Sequence, residues 1–166
     1  MRPFTIKTMI LLTCTLFATS LWAVSPTYHF ANSSLDPSTA CYNVNFFESG
    51  LGGAGFTSDN YTITCTAINY SVGCLNHGGN KVQGTPKSGT TSGSASTPVP
   101  ITNGNTRDTV SLCPANVTLP NPGCTGSQQE VILAASYSGC KLSESDFGST
   151  ITTGDQSNPN LFVIVK

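Results

Sequence analysis

The most regular hydrophobic pattern in the chain lies in residues 61–80, YTITCTAINYSVGCLNHGGN. In its first part apolar residues occupy every second position and threonines lie between them; the apolar residues are Tyr61, Ile63, Cys65 and Ala67. A period of two is typical of an antiparallel strand with one buried and one solvated face. The phase is lost at Ala67 and Ile68, which are both apolar, and a β-bulge or the end of pairing would absorb this shift. The glycines and asparagine of residues 78–80 predict a tight turn.

Strand-like patterns also occur near both ends of the predicted domain. Residues 42–47, YNVNFF, place Tyr42, Val44 and Phe46 on one face and asparagines on the other. Residues 161–165, LFVIV, are continuously apolar and are expected to form the last strand.

A hairpin is predicted in the middle of the chain. Residues 99–102 are expected to be a short edge strand, because the prolines in and beside them cannot donate backbone hydrogen bonds. Asn103-Gly104 is a strong turn signal, so residues 107–113 are expected to run back antiparallel. In that second strand Val110 and Leu112 are predicted to face inward.

Residues 131–137, VILAASY, form a continuous apolar run that fits either a central strand or a short buried helix. The helix would begin with a capping box at residues 127–130 and end at Gly139. The strand is favoured by the Val and Ile content, the short length and the β-rich neighbours. We expect a strand.

Four polar segments are expected to lie outside the sheets. Residues 24–40 are polar and interrupted by proline, which predicts a loosely ordered arm. Residues 49–55, SGLGGAG, predict a turn or wide loop. Residues 82–98 consist mostly of Gly, Ser, Thr and Pro, which predicts a surface loop or flexible linker. Residues 114–126 are expected to be a loop.

Residues 1–23 have the organisation of a signal peptide: basic residues near the start, an apolar run and small residues for cleavage. The run is too short to span a bilayer comfortably, and no second apolar run of about 20 residues follows. We therefore expect a secreted protein, extracellular or periplasmic, with no membrane span in the mature chain. The predicted organisation is a signal peptide over 1–23, a loosely ordered arm over 24–40 and a β-sandwich domain over 41–166.

Removal of the predicted signal peptide, which contains Cys14, lowers the cysteine count from seven to six. An even number of cysteines in an oxidising compartment predicts a disulfide framework. The spacings exclude a zinc ribbon. Many pairings are possible, and the residues alone do not choose among them; the six cysteines are Cys41, Cys65, Cys74, Cys113, Cys124 and Cys140.

The remaining chain carries five basic and eight acidic side chains, a net charge of −3. Charges this few and this scattered argue against nucleic acid or an anionic membrane surface as a partner, since both require clustered Lys and Arg. Serine, threonine, asparagine and glycine supply the polar surface instead, which suits an extracellular β-protein. About six or seven short strands in one disulfide-bonded domain predict an all-β fold, a single β-sandwich.

A series of turn and cysteine motifs occurs between residues 43 and 137. It comprises Gly-Leu-Gly at 50–52, the TITCTA strand, a C-x-N-x-G-G-N turn at 74–80 and an I-x-N-G hairpin at 101–104, followed by a Pro/Asn loop with a cysteine. Together these motifs resemble a group of small bacterial secreted proteins. The resemblance implies an immunoglobulin-like sandwich and a disulfide between Cys74 and Cys124. It leaves the pairing of the other four cysteines open, and no assigned activity comes with it.

Two motifs are better explained as turns than as chemistry. Residues 50–55 match G-x-G-x-x-G, but a dinucleotide site requires a helix after the motif and none is predicted there. His77 lies between Asn76 and Gly78 and is expected to be a turn residue, not a base or a ligand. The sequence contains neither a G-x-S-x-G elbow nor H-E-x-x-H. We therefore expect no catalytic, cofactor-binding or metal site.

Acidic residues are the remaining candidates for chemistry. A carboxylate pair for glycoside hydrolysis would come from Glu48, Asp59, Asp108, Glu130 and Glu144. A calcium site would use Asp59, Asp108 or Asp155, although no Asp-rich loop of known spacing occurs. With eight acids in the chain, some pair is close by chance, so neither candidate carries much weight.

Two classes of function remain. The sequence predicts a secreted or cell-surface structural or binding module without catalytic activity, with an unknown protein or glycan partner. The alternative is a small secreted hydrolase that uses a carboxylate pair. The alternative requires positioned titratable groups that converge in one concave pocket.

Overall fold

The computed structural model describes residues 25–52, 55–76, 78–79 and 81–165, which contain nine β-strands and one short 3₁₀ helix. The strands are β1 (Thr27–Leu35), β2 (Tyr42–Ser49), β3 (Ser58–Leu75), β4 (Val82–Pro100), β5 (Asn105–Leu112), β6 (Gln129–Glu144), β7 (Thr150–Thr152), β8 (Gln156–Asn158) and β9 (Val163–Ile164). The 3₁₀ helix is Pro114–Asn116.

The strands form two antiparallel sheets whose inner faces share one core. Sheet A has the order β1-β2-β5. Sheet B has the order β4-β3-β6-β7, and β8 and β9 also pair with β6. The chain is therefore a disulfide-bonded all-β sandwich, as predicted. Its described part has more strands than expected, because residues 24–40 contain β1 and the C-terminal segment forms three short strands against β6 instead of one.

The core follows from the alternation in each strand. Tyr42, Val44 and Phe46 on β2 are completely buried, as are Val110 and Leu112 on β5. Sheet B contributes a matching set from β3 and β6: Tyr61, Ile63, Ile68, Tyr137 and Leu142. Each large apolar side chain contributes about 1.5–3 kcal/mol on burial, so packing between the sheets is the main source of stability.

The predicted irregularity in β3 occurs where the phase of the pattern is lost. The pairing of β3 with β4 shifts register between Cys65 and Ile68. On the other side the pairing with β6 continues through the same residues without a shift. The bulge therefore affects only the β3–β4 ladder.

Residues 131–137 form a strand, which confirms the preferred alternative. They belong to β6, which pairs with β3 along most of its length. The register shifts between Ser71 and Val72 of β3, which pair with Ala134 and Ile132. Leu133 is the extra residue at this shift, and it accounts for an apolar run without alternation.

Residues 82–98, whose composition predicts a flexible loop, instead form most of β4. This strand lies at the edge of sheet B and pairs with β3. An edge strand obtains its backbone hydrogen bonds from its partner and tolerates proline, so polar and proline-containing composition does not prevent pairing.

Residues 24–40, predicted to be a loosely ordered arm, contain β1, which pairs with β2 from Thr27 to Leu35. Tyr28, Ala31 and Leu35 pack against the core from this strand. Its edge is also held to the C-terminal segment, because Ser33 Oγ donates a hydrogen bond to Gly154 O at 2.8 Å. β1 has only a few apolar residues among many polar ones, so its sequence does not show the regular alternation that would predict a paired strand.

The turn at Asn103-Gly104 is present, with positive φ at both residues and a bridge between Thr102 and Asn105. The predicted hairpin is wrong, however, because β5 pairs with β2 in sheet A while Val99 belongs to β4 in sheet B. The turn thus connects the two sheets. The predicted strand at 161–165 is also reduced to Val163–Ile164.

The long strands of sheet B extend past the end of sheet A, and the loop after β5 covers part of the overhang. β3, β4 and β6 have 18, 19 and 16 residues, whereas the strands of sheet A have eight or nine. Val117 and Leu119 of the loop pack against the core. Glycines 89 and 93 of β4 leave room for it, since added side chains would meet Pro120 and Val117.

Three disulfides join the strands and this loop. Cys41–Cys113 links the start of β2 to the end of β5, and Cys65–Cys140 joins directly paired positions of β3 and β6. Cys74–Cys124, the pair that the resemblance implies, ties the covering loop to the end of β3. The residues themselves had left these pairings open.

Replacing both Cys74 and Cys124 with alanine is expected to lower the free energy of unfolding by about 4 kcal/mol, because this bond closes a long loop in the unfolded chain. The two cysteines are 50 residues apart. Denaturation followed by circular dichroism measures the loss, and the variant should remain all-β. Non-reducing peptide mapping of the unaltered protein is the control, and a Cys65–Cys74 linkage there would contradict the framework.

Gly93→Ala is expected to destabilise the protein by about 1–3 kcal/mol, because the new methyl group would collide with Val117 of the covering loop. Gly78→Ala is the matched control, since nothing lies within 4 Å of a side chain added there. Thermal denaturation of both variants measures the difference. Equal stabilities would show that the loop does not pack on β4 in solution.

Candidate functional site

Three carboxyl groups converge at the end of the sandwich where β2 ends and β3 begins. They belong to Glu48, Asp59 and Glu144, which are 0%, 3% and 4% exposed. The other two candidates for a carboxylate pair lie elsewhere: Asp108 pairs with Phe46 across sheet A, and Glu130 lies near the opposite end of β6. The structure therefore brings together three of the five acids singled out in the sequence.

Hydrogen bonds occupy the oxygens of Glu48 and Glu144. Glu48 accepts from the Tyr61 hydroxyl at 2.7 Å and from Ser149 Oγ at 2.6 Å. Glu144 accepts from the backbone N–H groups of Phe147 at 2.7 Å and Ser149 at 2.6 Å. Because Ser149 contacts both carboxyl groups, the turn after β6 joins sheet B to sheet A at this end.

Asp59 completes the cluster and lies beside Glu144. Its carboxylate accepts hydrogen bonds from Ser145 Oγ at 2.8 Å and from the Asn60 backbone N–H at 2.5 Å. A further hydrogen bond joins its side chain to that of Glu144. Two adjacent carboxyl groups cannot both ionise easily, so one proton between them is the stable arrangement.

Burial and this shared proton separate the pKa values of the three groups. Burial raises the pKa of Glu48. Burial, then the hydrogen bond to Asp59, raises the pKa of Glu144. Burial also acts to raise the pKa of Asp59, but the hydrogen bonds from Glu144, Ser145 and the backbone outweigh it and leave that pKa below its usual value. Glu144 is therefore the proton donor of the pair.

The carboxyl cluster lies inside the described part of the protein. Its carboxyl groups are almost completely buried, and none of them lines the four cavities found in the described residues. Within those residues no group of three or more His, Cys, Asp or Glu side chains is arranged to hold a metal ion. The three aspartates considered for calcium do not form such a group.

A partly exposed aromatic patch lies on the outer face of sheet A and consists of His29, Phe30, Phe47 and Arg107. The His29 and Phe47 rings are stacked with centroids 4.7 Å apart, and the Phe30 and Phe47 centroids are 6.2 Å apart. The Arg107 guanidinium carbon lies 5.5 Å from the centroid of the Phe30 ring. This distance is within the range of a cation–π interaction.

The sequence contains one signal for this patch. Phe46 and Phe47 are adjacent, so when Phe46 faces the core Phe47 must face outward. The other members come from β1 and β5, and only the sheet topology brings them beside Phe47, through the pairs Phe30–Phe47 and Phe47–Arg107. This juxtaposition could not be found from periodicity in a single strand.

Two of these cavities lie at or beside sheet A. A shallow one of about 290 Å³ adjoins the aromatic patch and is lined by Phe47, Pro100, Thr102, Asn105, Thr106 and Arg107. A larger apolar groove of about 450 Å³ lies at the end of sheet A, between the Cys41–Cys113 disulfide, Pro114, Ile132 and the last strand. Ile164 on that strand and Phe162 just before it are exposed.

Two predictions concern segments that contain residues outside the described ranges. His77 lies outside the described residues, so its role as a turn residue stays a prediction. The glycine-rich motif at 50–55 lies between β2 and β3, where residues 53 and 54 are also outside the described ranges. The segment after it leads into a strand and not a helix.

Comparison with known proteins gives no match to a family model, to a curated protein or to a solved structure. Over the described ranges, no helix has the length and hydrophobicity needed to cross a bilayer.

The melting temperature is expected to be highest at about pH 4 and to fall by several degrees towards pH 7. The folded pKa values of Glu48 and Glu144 lie above the usual 4.5, so the stability these groups contribute is complete below that pH and is lost as the pH rises through the folded values. The folded pKa of Asp59 lies below 3.8, so its contribution is lost only as the pH falls through that lower value.

Glu144→Gln should flatten this dependence, because an amide still donates to Asp59 and does not titrate. Glu130→Gln, on the same strand but outside the cluster, is the matched control. Thermal denaturation between pH 3 and 8 gives the profile. An unchanged profile in Glu144→Gln would show that the shared proton does not control stability.

Proposed function

We propose that the protein is a secreted or cell-surface binding module without catalytic activity. One observation carries this proposal: the aromatic rings and the guanidinium of the aromatic patch are on the surface, whereas the convergent carboxyl groups are buried. Partly exposed aromatic and arginine side chains are typical of binding surfaces. Acid–base catalysis instead requires titratable groups that a substrate can reach.

The cellular location is part of the same proposal. Three disulfides are consistent with an oxidising compartment. Together with the apolar run over residues 9–21, they support secretion after removal of a signal peptide. The Cys74–Cys124 bond also supports kinship with the small bacterial secreted proteins that the turn motifs resemble, and with their immunoglobulin-like architecture.

A protein or a glycan is the partner that fits this surface. The basic side chains are too few and too scattered for nucleic acid. The apolar groove of about 450 Å³ is lined mainly by aliphatic residues and a disulfide, whereas the aromatic patch combines rings, a cation and nearby polar side chains. We therefore assign binding to the aromatic patch.

The alternative function is a small secreted hydrolase. The proton shared by Asp59 and Glu144 favours it, since such a pair can supply a general acid and a general base. Use of the pair would require the turn at residues 145–149 to open, because its backbone N–H groups and hydroxyls occupy the carboxyl oxygens. This requirement makes hydrolysis the weaker proposal.

The protein is expected to release no new reducing ends from soluble polysaccharides between pH 4 and 8. Beads that carry the same polysaccharides should retain the protein, because the aromatic patch is partly exposed. Glu144→Gln is the matched variant and should behave like the unaltered protein in both assays. If the protein released reducing ends and Glu144→Gln did not, the hydrolase would be established instead. If no immobilised polysaccharide retained the protein, the support for glycan binding would be removed.

A further inference from the structure

We propose that the protein forms a two-fold symmetric dimer, in which β9 pairs antiparallel with β9 of a second copy and sheet B continues across both molecules. This inference goes beyond the proposed binding function, since it does not involve the aromatic patch. It is drawn from features of one edge of sheet B, namely an open strand, exposed apolar side chains and the apolar groove beside them.

β9 is an edge strand of sheet B. Among the described residues, β6 is the only strand that pairs with it. The Val165 N–H donates to Glu130 O at 2.9 Å, so Val163 and Val165 direct their backbone groups towards β6. Because this direction alternates along an antiparallel strand, the N–H and C=O groups of Phe162 and Ile164 point away from β6. A further strand can therefore form hydrogen bonds with them.

The sequence at this edge does not oppose pairing with another strand. Edge strands commonly carry proline or lysine, which discourage association with a second strand. β4, at the opposite edge of sheet B, contains Pro86, Lys87 and Pro98. Residues 161–165, LFVIV, contain neither a proline nor a charged residue. Two copies of this segment can therefore pair without bringing like charges together.

Two large apolar side chains are exposed at the same edge. Phe162 is 55% exposed and Ile164 is 43% exposed. Val163 and Val165 pack against the core, so the alternation of the strand places Phe162 and Ile164 together on the outer face of sheet B. Neighbouring apolar side chains on an open strand edge favour association with a further strand.

The register identifies a second copy of this chain as the occupant of the edge. With the two-fold axis at Val163, Phe162 of each copy lies opposite Ile164 of the other, and each such pair exchanges two backbone hydrogen bonds. Opposite side chains in an antiparallel pair are about 5 Å apart, so each exposed ring covers an exposed aliphatic side chain. The same two residues thus supply both halves of the contact.

The apolar groove gives the added strand a second contact. This groove of about 450 Å³ lies beside β9, where Ile132, Val163 and Val165 line it together with the Cys41–Cys113 disulfide. In the dimer the axis is perpendicular to the continuous sheet, so the inward-facing side chains of the second β9 lie on the same side as the groove. Association therefore removes apolar surface from water on both faces of the extended sheet.

Sedimentation velocity of the folded, disulfide-bonded protein between about 5 µM and 1 mM tests the proposal. The paired segment is short, so a weak dimer is expected, with a dissociation constant of about 10–200 µM. A monomer throughout this range would overturn the proposal. So would assembly that continues past the dimer, because a two-fold contact is closed.

Charged substitutions test the residues in the contact. Phe162→Lys and Ile164→Glu, each alone, are expected to weaken the dimer at least about tenfold, because each places two charges opposite apolar side chains. Phe56→Lys is the matched control, since Phe56 is also 43% exposed but lies before β3. Its dissociation constant should stay within about twofold of the unaltered protein. Thermal denaturation of each variant verifies folding.

An equimolar mixture of Phe162→Lys and Ile164→Glu tests the register itself. In the mixed dimer the introduced lysine lies opposite the introduced glutamate, and the other pair is the unaltered Ile164 opposite Phe162. The mixture is therefore expected to dimerise at least about fivefold more tightly than either variant alone. Absence of this recovery would overturn the antiparallel pairing, and equal losses in Phe162→Lys and Phe56→Lys would show that the contact lies elsewhere.

Discussion

Sheet B is about twice as long as sheet A, and this difference in length determines what the rest of the chain must provide. The inner face of β3 continues past the end of sheet A, where apolar residues require cover without a second sheet. The proline-rich loop after β5 supplies that cover, and Cys74–Cys124 holds it in place. This arrangement explains why positions 89 and 93 of β4 are glycine, since larger residues there would displace the loop.

The opposite end of the sandwich is closed by polar groups instead. Burying a carboxylate is costly unless hydrogen bonds replace its water. Glu48 and Glu144 obtain three of those bonds from the turn after β6, through Phe147 and Ser149, and Tyr61 donates the fourth. A hydrogen bond between Asp59 and Glu144 lowers the cost further. The cluster of Glu48, Asp59 and Glu144 therefore joins the two sheets at this end through hydrogen bonds.

Periodicity predicted the strands that bury one complete face, namely β2, β3 and β5, together with the bulge after Cys65. It failed for β1 and β4, because an edge strand pairs through its backbone and its composition need not show it. The Asn103-Gly104 turn was predicted but its partner strands were not, since turn residues specify local backbone conformation and not the sheet that follows. Only one member of the aromatic patch, Phe47, had a signal in the sequence, because the others meet it through register.

The bulge at His29 links the aromatic patch to the buried end of the sandwich. Tyr28 and Ala31 both pack against the core although they are three residues apart, which a regular strand does not allow. The extra residue at the bulge resolves this conflict and turns Phe30 outward beside Phe47. The same irregularity thus brings Tyr28 inward opposite Glu48 and places Phe30 under Arg107. Removing the bulge would shift the following residues to the other face of the strand. The aromatic patch therefore depends on the bulge that lets both Tyr28 and Ala31 pack against the core.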